Sequence, residues 1–334
     1  MSCYLLFLAE TITLLAALVA LLLFVAGLAR RGRGRGRLKV ENLNDRFEDL
    51  GLAMRIALQP GKAAKQRRRE AKQRRKADQR RTAKQRDAAS SQRPRVFVVD
   101  FAGDPRASGV DALREELTAI LATAGGSDEV LVRLKNPGGF VHEQGLAASQ
   151  LLRVRTRGVR LVVAVDTVAA SGGYLMACVA DRIVAAPFAV VGSIGVVTQV
   201  PNVHRLLERH GVDVEQFTGG KFKRTVTMLG PTTDEGREKL QEQIDEVHVL
   251  FKDWVARYRP QLDLEQVATG EYWYGSRALE LQLVDEVSTS DEYLLAAAGR
   301  ADVFKVSYSP QRSPGQRLGS SLSAARARLL DRTA

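Results

Sequence analysis

The chain has 334 residues, room for one large domain or two ordinary ones, and carries 50 Lys and Arg against 38 Asp and Glu, a net charge of +12. The excess is confined: residues 1–95 hold 23 basic and 8 acidic side chains (+15), which leaves 27 and 30 (−3) for residues 96–334. Two cysteines, Cys3 and Cys178, exclude a disulfide framework and a multi-cysteine metal cage.

In chain order, the first predicted element is a membrane span. Residues 11–29 run TITLLAALVALLLFVAGLA without a charge. As a helix they cover ~28 Å, close to the ~30 Å hydrocarbon core of a bilayer. A cleaved signal peptide would have a basic start and a shorter apolar stretch. Arg30, Arg31, Arg33, Arg35, Arg37 and Lys39 follow the span and no basic residue precedes it, so the positive-inside rule puts the body in the cytoplasm; the periplasmic side stays open. Residues 30–95 read as a basic juxtamembrane linker. Its segment 62–95 has 15 basic and 3 acidic residues and almost no apolar face, which suits a spacer touching anionic lipid headgroups. No aromatics are interleaved for base stacking, so no nucleic acid is expected as a partner.

From residue 96 the texture changes, and residues 96–300 read as one α/β domain. Apolar runs at 96–101, 129–136, 161–166, 182–187 and 194–200 predict strands. Spacings of three and four predict helices over 110–124, 145–155 and 233–257, with a short helix near 172–179. Residues 204–210 (HRLLERH) read as an ordinary surface helix. Pro310, Pro314 and many Ser, Gly and Arg make 301–334 a loosely ordered tail.

Three glycine-containing connections stand out. Lys135-Asn136-Pro137-Gly138-Gly139 follows a strand and suits a tight turn with outward N–H groups. Ala169-Ala170-Ser171-Gly172-Gly173-Tyr174 puts a serine between tiny residues at a strand-to-helix turn, where local sequence alone favours a helix-capping serine over a nucleophile. Gly192-Ser193-Ile194-Gly195 enters the last predicted strand, and Gly219-Gly220-Lys221-Phe222-Lys223-Arg224 comes later. A serine nucleophile needs a base, yet none of His142, His204, His210 and His248 sits in a loop poised for Ser171. A lysine can serve if burial keeps it neutral.

The set NPGG, ASGGY, GSIGV and GGKFKR, in that order, resembles the signal peptide peptidase A family of Ser–Lys peptidases. TDEGR at 233–237 and TGEYWYG at 269–275 sharpen the resemblance to its SohB-type membrane proteases, as does a span followed by a charged linker. The resemblance covers most of residues 96–290. It implies a ClpP/crotonase-like α/β fold, hydrolysis of peptide bonds at the membrane, no metal or nucleotide cofactor, and a homo-oligomer. Ser171 matches the nucleophile, and Lys223, 52 positions later, the general base, with Lys221 as its rival. Ser193 matches a serine that orients the lysine. Gly139 and Gly172 match the oxyanion-hole amides, with Gly138 as the alternative. The long form of the family carries two tandem repeats, and this chain has one.

The mechanism so implied has neutral Lys223 take the Ser171 proton as Oγ attacks the scissile carbonyl, and return it to the leaving amine. Leftover signal peptides and other membrane-associated peptides are the expected substrates. Two other readings compete: a crotonase-like acyl-CoA enzyme on the same fold, and a non-catalytic membrane scaffold.

Overall fold

The apolar runs between residues 95 and 185 are continuous because the sheet they build is covered on both faces. The computed structural model describes residues 36–58 and 93–310. The expected membrane span at 11–29, most of the basic linker and the tail beyond 310 lie outside the described residues. Among the described residues no helix is long and apolar enough to cross a membrane.

In chain order the elements are β1 (Arg37–Asn42), α1 (Leu43–Ala57), β2 (Arg95–Ala102), α2 (Val110–Leu121), β3 (Glu129–Lys135), α3 (Val141–Thr156), β4 (Arg160–Val165), β5 (Val168–Ala170), α4 (Gly172–Ala177) and β6 (Arg182–Ala185). There follow β7 (Val190–Gly192), α5 (His204–Arg209), α6 (Asp234–Tyr258), α7 (Leu264–Val267), β8 (Tyr272–Tyr274), α8 (Gly275–Glu280), β9 (Glu286–Val287), α9 (Ser290–Arg300) and β10 (Asp302–Ser309). Residues Val40–Ser307 form the compact unit that carries the site, and the remaining described residues at the two ends belong to a second, small unit. The fold is mixed α/β.

A seven-stranded sheet has the order β1-β10-β2-β3-β4-β6-β9, and its pairs from β10 to β9 are all parallel. Side chains alternate between its faces with period two. Phe97, Val99, Val130, Val132, Leu161 and Val163 point into one core with Leu113 and Leu117 of α2 and Ala147 and Leu151 of α3. Val96, Val98, Leu131, Val162 and Val184 point into the other, with Leu43 of α1 and Leu294 and Ala297 of α9. A second sheet, β5-β7-β8, holds the functional turns, with β5 and β7 parallel and β8 antiparallel. Asn136 links the two sheets through a parallel bridge to Ala169.

The predicted helices at 110–124 and 233–257 are present as α2 and α6. Thr233 caps α6, its hydroxyl accepting from the Gly236 N–H at 3.0 Å, with Asp234 and Glu235 in the first turn. Three expectations need correction. The strand expected over 194–200 is absent: β7 ends at Gly192 (φ +103°), and Ser193 follows at φ +52°, so the chain leaves the extended region at two successive residues. Residues 302–309 are not tail but strand β10, registered on β2 from Asp302 opposite Arg95 to Lys305 opposite Val98. Within the supposed linker, 37–57 is regular structure. Asn44 at the start of α1 donates to the carbonyls of Ala298 and Ala301, both at 3.1 Å, and accepts from the Val303 N–H at 2.7 Å.

Candidate active site

The register of the small sheet sets Ala170 opposite Gly192. The serine after each strand, Ser171 and Ser193, is thereby brought alongside the other, and the Ser171 N–H donates to the Gly192 carbonyl at 2.8 Å. Ser171 has φ 51° and ψ −120°, a conformation costing a non-glycine residue on the order of 1–3 kcal/mol. It stands at the N-cap position of α4, yet its hydroxyl caps no backbone N–H. The capping role that local sequence favoured is therefore vacant, and Oγ is left for other work.

The NPGG turn abuts this serine. A Cβ built on Gly138 would lie 2.8 Å from Ser171 Cβ and 3.0 Å from the Gly172 nitrogen. The Gly138 N–H itself donates to Asn136 Oδ1 at 2.9 Å, so it is engaged within its own turn. No described residue accepts from the N–H of Gly139 or of Gly172. Both glycines line the same cleft as Ser171 and Ser193.

That cleft encloses about 1050 Å³. Phe140, Val141, Leu175 and Val197 form apolar walls, and α6 contributes Ile244, Val247, Phe251 and Trp254. Two hydrogen bonds hold α4 in place: Trp254 Nε1 donates to the Leu175 carbonyl at 3.1 Å, and Tyr174 Oη to the Leu283 carbonyl at 2.9 Å. Burial pushes the nearby Cys178 thiol up to about 12, which keeps it protonated and unreactive. Among the described residues no three His, Cys, Asp or Glu side chains gather as a metal site would require.

The predicted site residues Ser171, Ser193, Gly139 and Gly172 are thus brought together, with Gly138 beside them. Lys223 is not. It lies exposed in the irregular stretch between α5 and α6 and does not line the cleft. Lys221 is engaged elsewhere: its Nζ pairs with Glu235 Oε1 at 2.5 Å and lies over the Phe222 ring. Sequence reasoning missed the cleft wall supplied by α6, including His248, whose Nε2 is buried without a hydrogen-bond partner among the described residues. It also missed the buried amides of Asn136 and Gln144. Gln144 shares the apolar stripe of α3 with Ala147, Ala148, Leu151 and Val154, and a polar residue in such a stripe is a signal visible before folding.

Residues 153–303 match the family model described as Peptidase family S49, and residues 1–151 match that of its N-terminal region. The chain is 47% identical over 321 residues to the "Probable protease SohB" of Haemophilus influenzae, covering 95% of this chain and 91% of that one. It is 49% identical over 218 residues to the protein of the same description from Buchnera aphidicola subsp. Acyrthosiphon pisum, with 65% of each covered. Among solved structures, a 1510-N membrane-bound stomatin-specific protease mutant with a substrate peptide aligns at 12% identity and TM-score 0.44, over 70% of this chain and 99% of that one. On identity and coverage together, the chain belongs to peptidase family S49 and is a serine peptidase.

Proposed function

We propose that the protein is a membrane-anchored endopeptidase working through a Ser–Lys dyad on a ClpP/crotonase-like fold. Ser171 is the nucleophile, Lys223 the general base, and Ser193 orients the lysine. The observation that carries this reading is Ser171 itself: strained, uncapped, lining the cleft, beside two glycine amides with no other acceptor among the described residues. Oγ attacks the scissile carbonyl, and the N–H groups of Gly139 and Gly172 receive the oxyanion, each donor supporting the rate by ~10²–10³. Gly138 is set aside because its N–H is engaged by Asn136. The proton taken from Oγ returns to the leaving amine, and water repeats the cycle on the acyl-enzyme. Because Lys223 is exposed and outside the cleft, the reading requires a rearrangement or assembly that brings a lysine to Ser171.

Apolar cleft walls favour membrane-associated peptides, leftover signal peptides among them, as substrates. The uncharged stretch 11–29 and the six cations after it support the anchor with the body on the cytoplasmic side, and the basic run supports contact with anionic lipid. Phe188 and Phe217, 85% and 89% exposed, support a homo-oligomer that covers them.

The test is hydrolysis of an unstructured peptide by the full chain, with a fluorophosphonate to label the nucleophile. Ser171→Ala should lose both activity and label; Lys223→Ala should lose activity and Lys221→Ala keep it. Retained activity in Lys223→Ala with loss in His248→Ala would move the base to the cleft histidine. Full activity in Ser171→Ala would end the dyad reading, whereas no peptide hydrolysis by the native chain would favour the crotonase-like enzyme if acyl-CoA is turned over, or the scaffold if nothing is.

A further inference from the structure

The turn that carries Gly139 and the turn that carries Ser171 meet on one buried residue, Asn136. Its backbone N–H donates to the Val168 carbonyl at 2.8 Å, and its carbonyl accepts from the Ala170 N–H at 3.1 Å, one residue before the nucleophile. Its side chain faces the other way. Oδ1 accepts from the Gly138 N–H at 2.9 Å, and Nδ2 donates to Gln144 Oε1 at 2.8 Å and to Met176 Sδ at 3.2 Å. Gln144 Nε2 in turn donates to the Asp104 carbonyl at 2.9 Å. Both amide side chains are fully buried.

The direction of this chain of hydrogen bonds is set at its ends. One end is an N–H, which requires an oxygen, and the other is a carbonyl, which requires an N–H. Neither amide can rotate, alone or together with the other, without setting like groups face to face. Gly138 is therefore held with its N–H turned inward, and the peptide plane that follows, which bears the Gly139 N–H, takes its orientation from that anchor. Gln144 also touches the second donor residue, because any Cβ on Gly172 would collide with the Gln144 stem. A single pair of side chains thus bears on both amides that face the cleft.

We propose that Asn136 and Gln144 are the positioning residues of the oxyanion hole: their locked amide pair aims the Gly139 N–H and sets its spacing from the Gly172 N–H. This rests on the reading of Ser171 as nucleophile and of those amides as its oxyanion donors. A buried amide pair left half-satisfied is costlier than an apolar one, so breaking the pair also lowers stability. Catalytic positioning is the part that needs its own readout.

The experiment uses the purified full chain with Asn136→Leu and with Gln144→Met, which keeps the stem against Gly172 and removes only the amide. Fluorophosphonate titration to completion counts the competent Ser171 in each sample. Per titrated serine, kcat should fall by roughly 10–100-fold with KM within about two-fold, the mark of a contact realised only in the transition state. A peptide aldehyde, whose adduct on Ser171 bears the oxyanion, should weaken by the same factor as kcat/KM. If either folded variant keeps native kcat per titrated serine and native aldehyde affinity, and only its Tm falls, the amides are structural and the proposal is overturned. Should Asn136→Leu fail to fold, Gln144→Met decides alone. Failure of the underlying reading shows separately, as an active Ser171→Ala or as no aldehyde adduct on the native chain, and the proposal then falls with it.

Discussion

Gly138→Ala is the substitution that most directly probes the fit between the two turns. The residue has φ +98°, where an L-residue is strained by about 1–3 kcal/mol. Its new methyl would sit 2.8 Å from Ser171 Cβ and 3.0 Å from both the Ala170 oxygen and the Gly172 nitrogen. Carbon contacts are comfortable at ~3.5–4.0 Å, so the turns must part by roughly half an ångström or more. Two of the three opposing atoms are backbone and the third is a Cβ, so none can swing aside. Strain and contact together should destabilise the chain by about 2–3 kcal/mol, well inside the ~5–15 kcal/mol of a typical native protein, so the variant should still fold. The rate should suffer more, because displacement on the 1 Å scale at a catalytic centre costs about 10²-fold. Urea denaturation gives the first quantity, and steady-state hydrolysis per titratable serine gives the second. A folded Gly138→Ala with kcat within about three-fold of native would refute the argument that this close approach aligns nucleophile and donors.

Other expectations can be checked by denaturation alone. Gly145 lies inside α3, and a Cβ there meets nothing within 4 Å, so Gly145→Ala should stabilise the chain by about 0.5–1 kcal/mol. Arg259 is buried after α6, bonded to both Asp285 oxygens at 2.8 Å and to the Gln282 carbonyl at 2.7 Å. Arg259→Leu strands these acceptors and should cost about 3–5 kcal/mol, whereas Arg114→Ala, breaking an exposed pair with Asp111, should cost ~0–1 kcal/mol. Burial alone would raise the Asp128 carboxyl, but hydrogen bonds from the Arg95 side chain and from the Gly125 and Arg95 amides outweigh it and hold the carboxyl below its ordinary 3.8. A depressed value stabilises the fold above 3.8, and that contribution is lost as the pH falls through the lower native value. Melting scans from about pH 5 down to pH 2 should therefore be flatter for Asp128→Asn than for the native chain; parallel curves would count against the assignment.

Sequence reasoning reached furthest where the signal is local. Apolar runs marked β2, β3, β4 and β6, and the three-four spacing marked α2 and α6. It fell short where a local pattern was overruled from a distance. Residues 194–200 have the composition of a strand, but the positive φ of Gly192 and of Ser193 ends β7 just before them. Leu43 and Phe47 were grouped with the basic linker, although they pack on α9. At the site, local sequence preferred a capping serine at 171, and only the family pattern raised it to a nucleophile. The structure shows that hydroxyl capping nothing.

By itself, the sequence determined the division of charge, the strands β2, β3, β4 and β6 with the helices α2, α3, α4 and α6, and the glycine turns that bear Ser171, Ser193 and Gly139. Composition and short-range periodicity encode these, because each depends on neighbours a few residues away. Only the tertiary structure decided that Gly138 is bound inward while Gly139 and Gly172 face the cleft, that α6 walls that cleft, and that Lys223 stands outside it. Those facts depend on strand register and on the direction of hydrogen bonds between segments far apart in the chain, such as Asn136 to Met176, and no local pattern carries them.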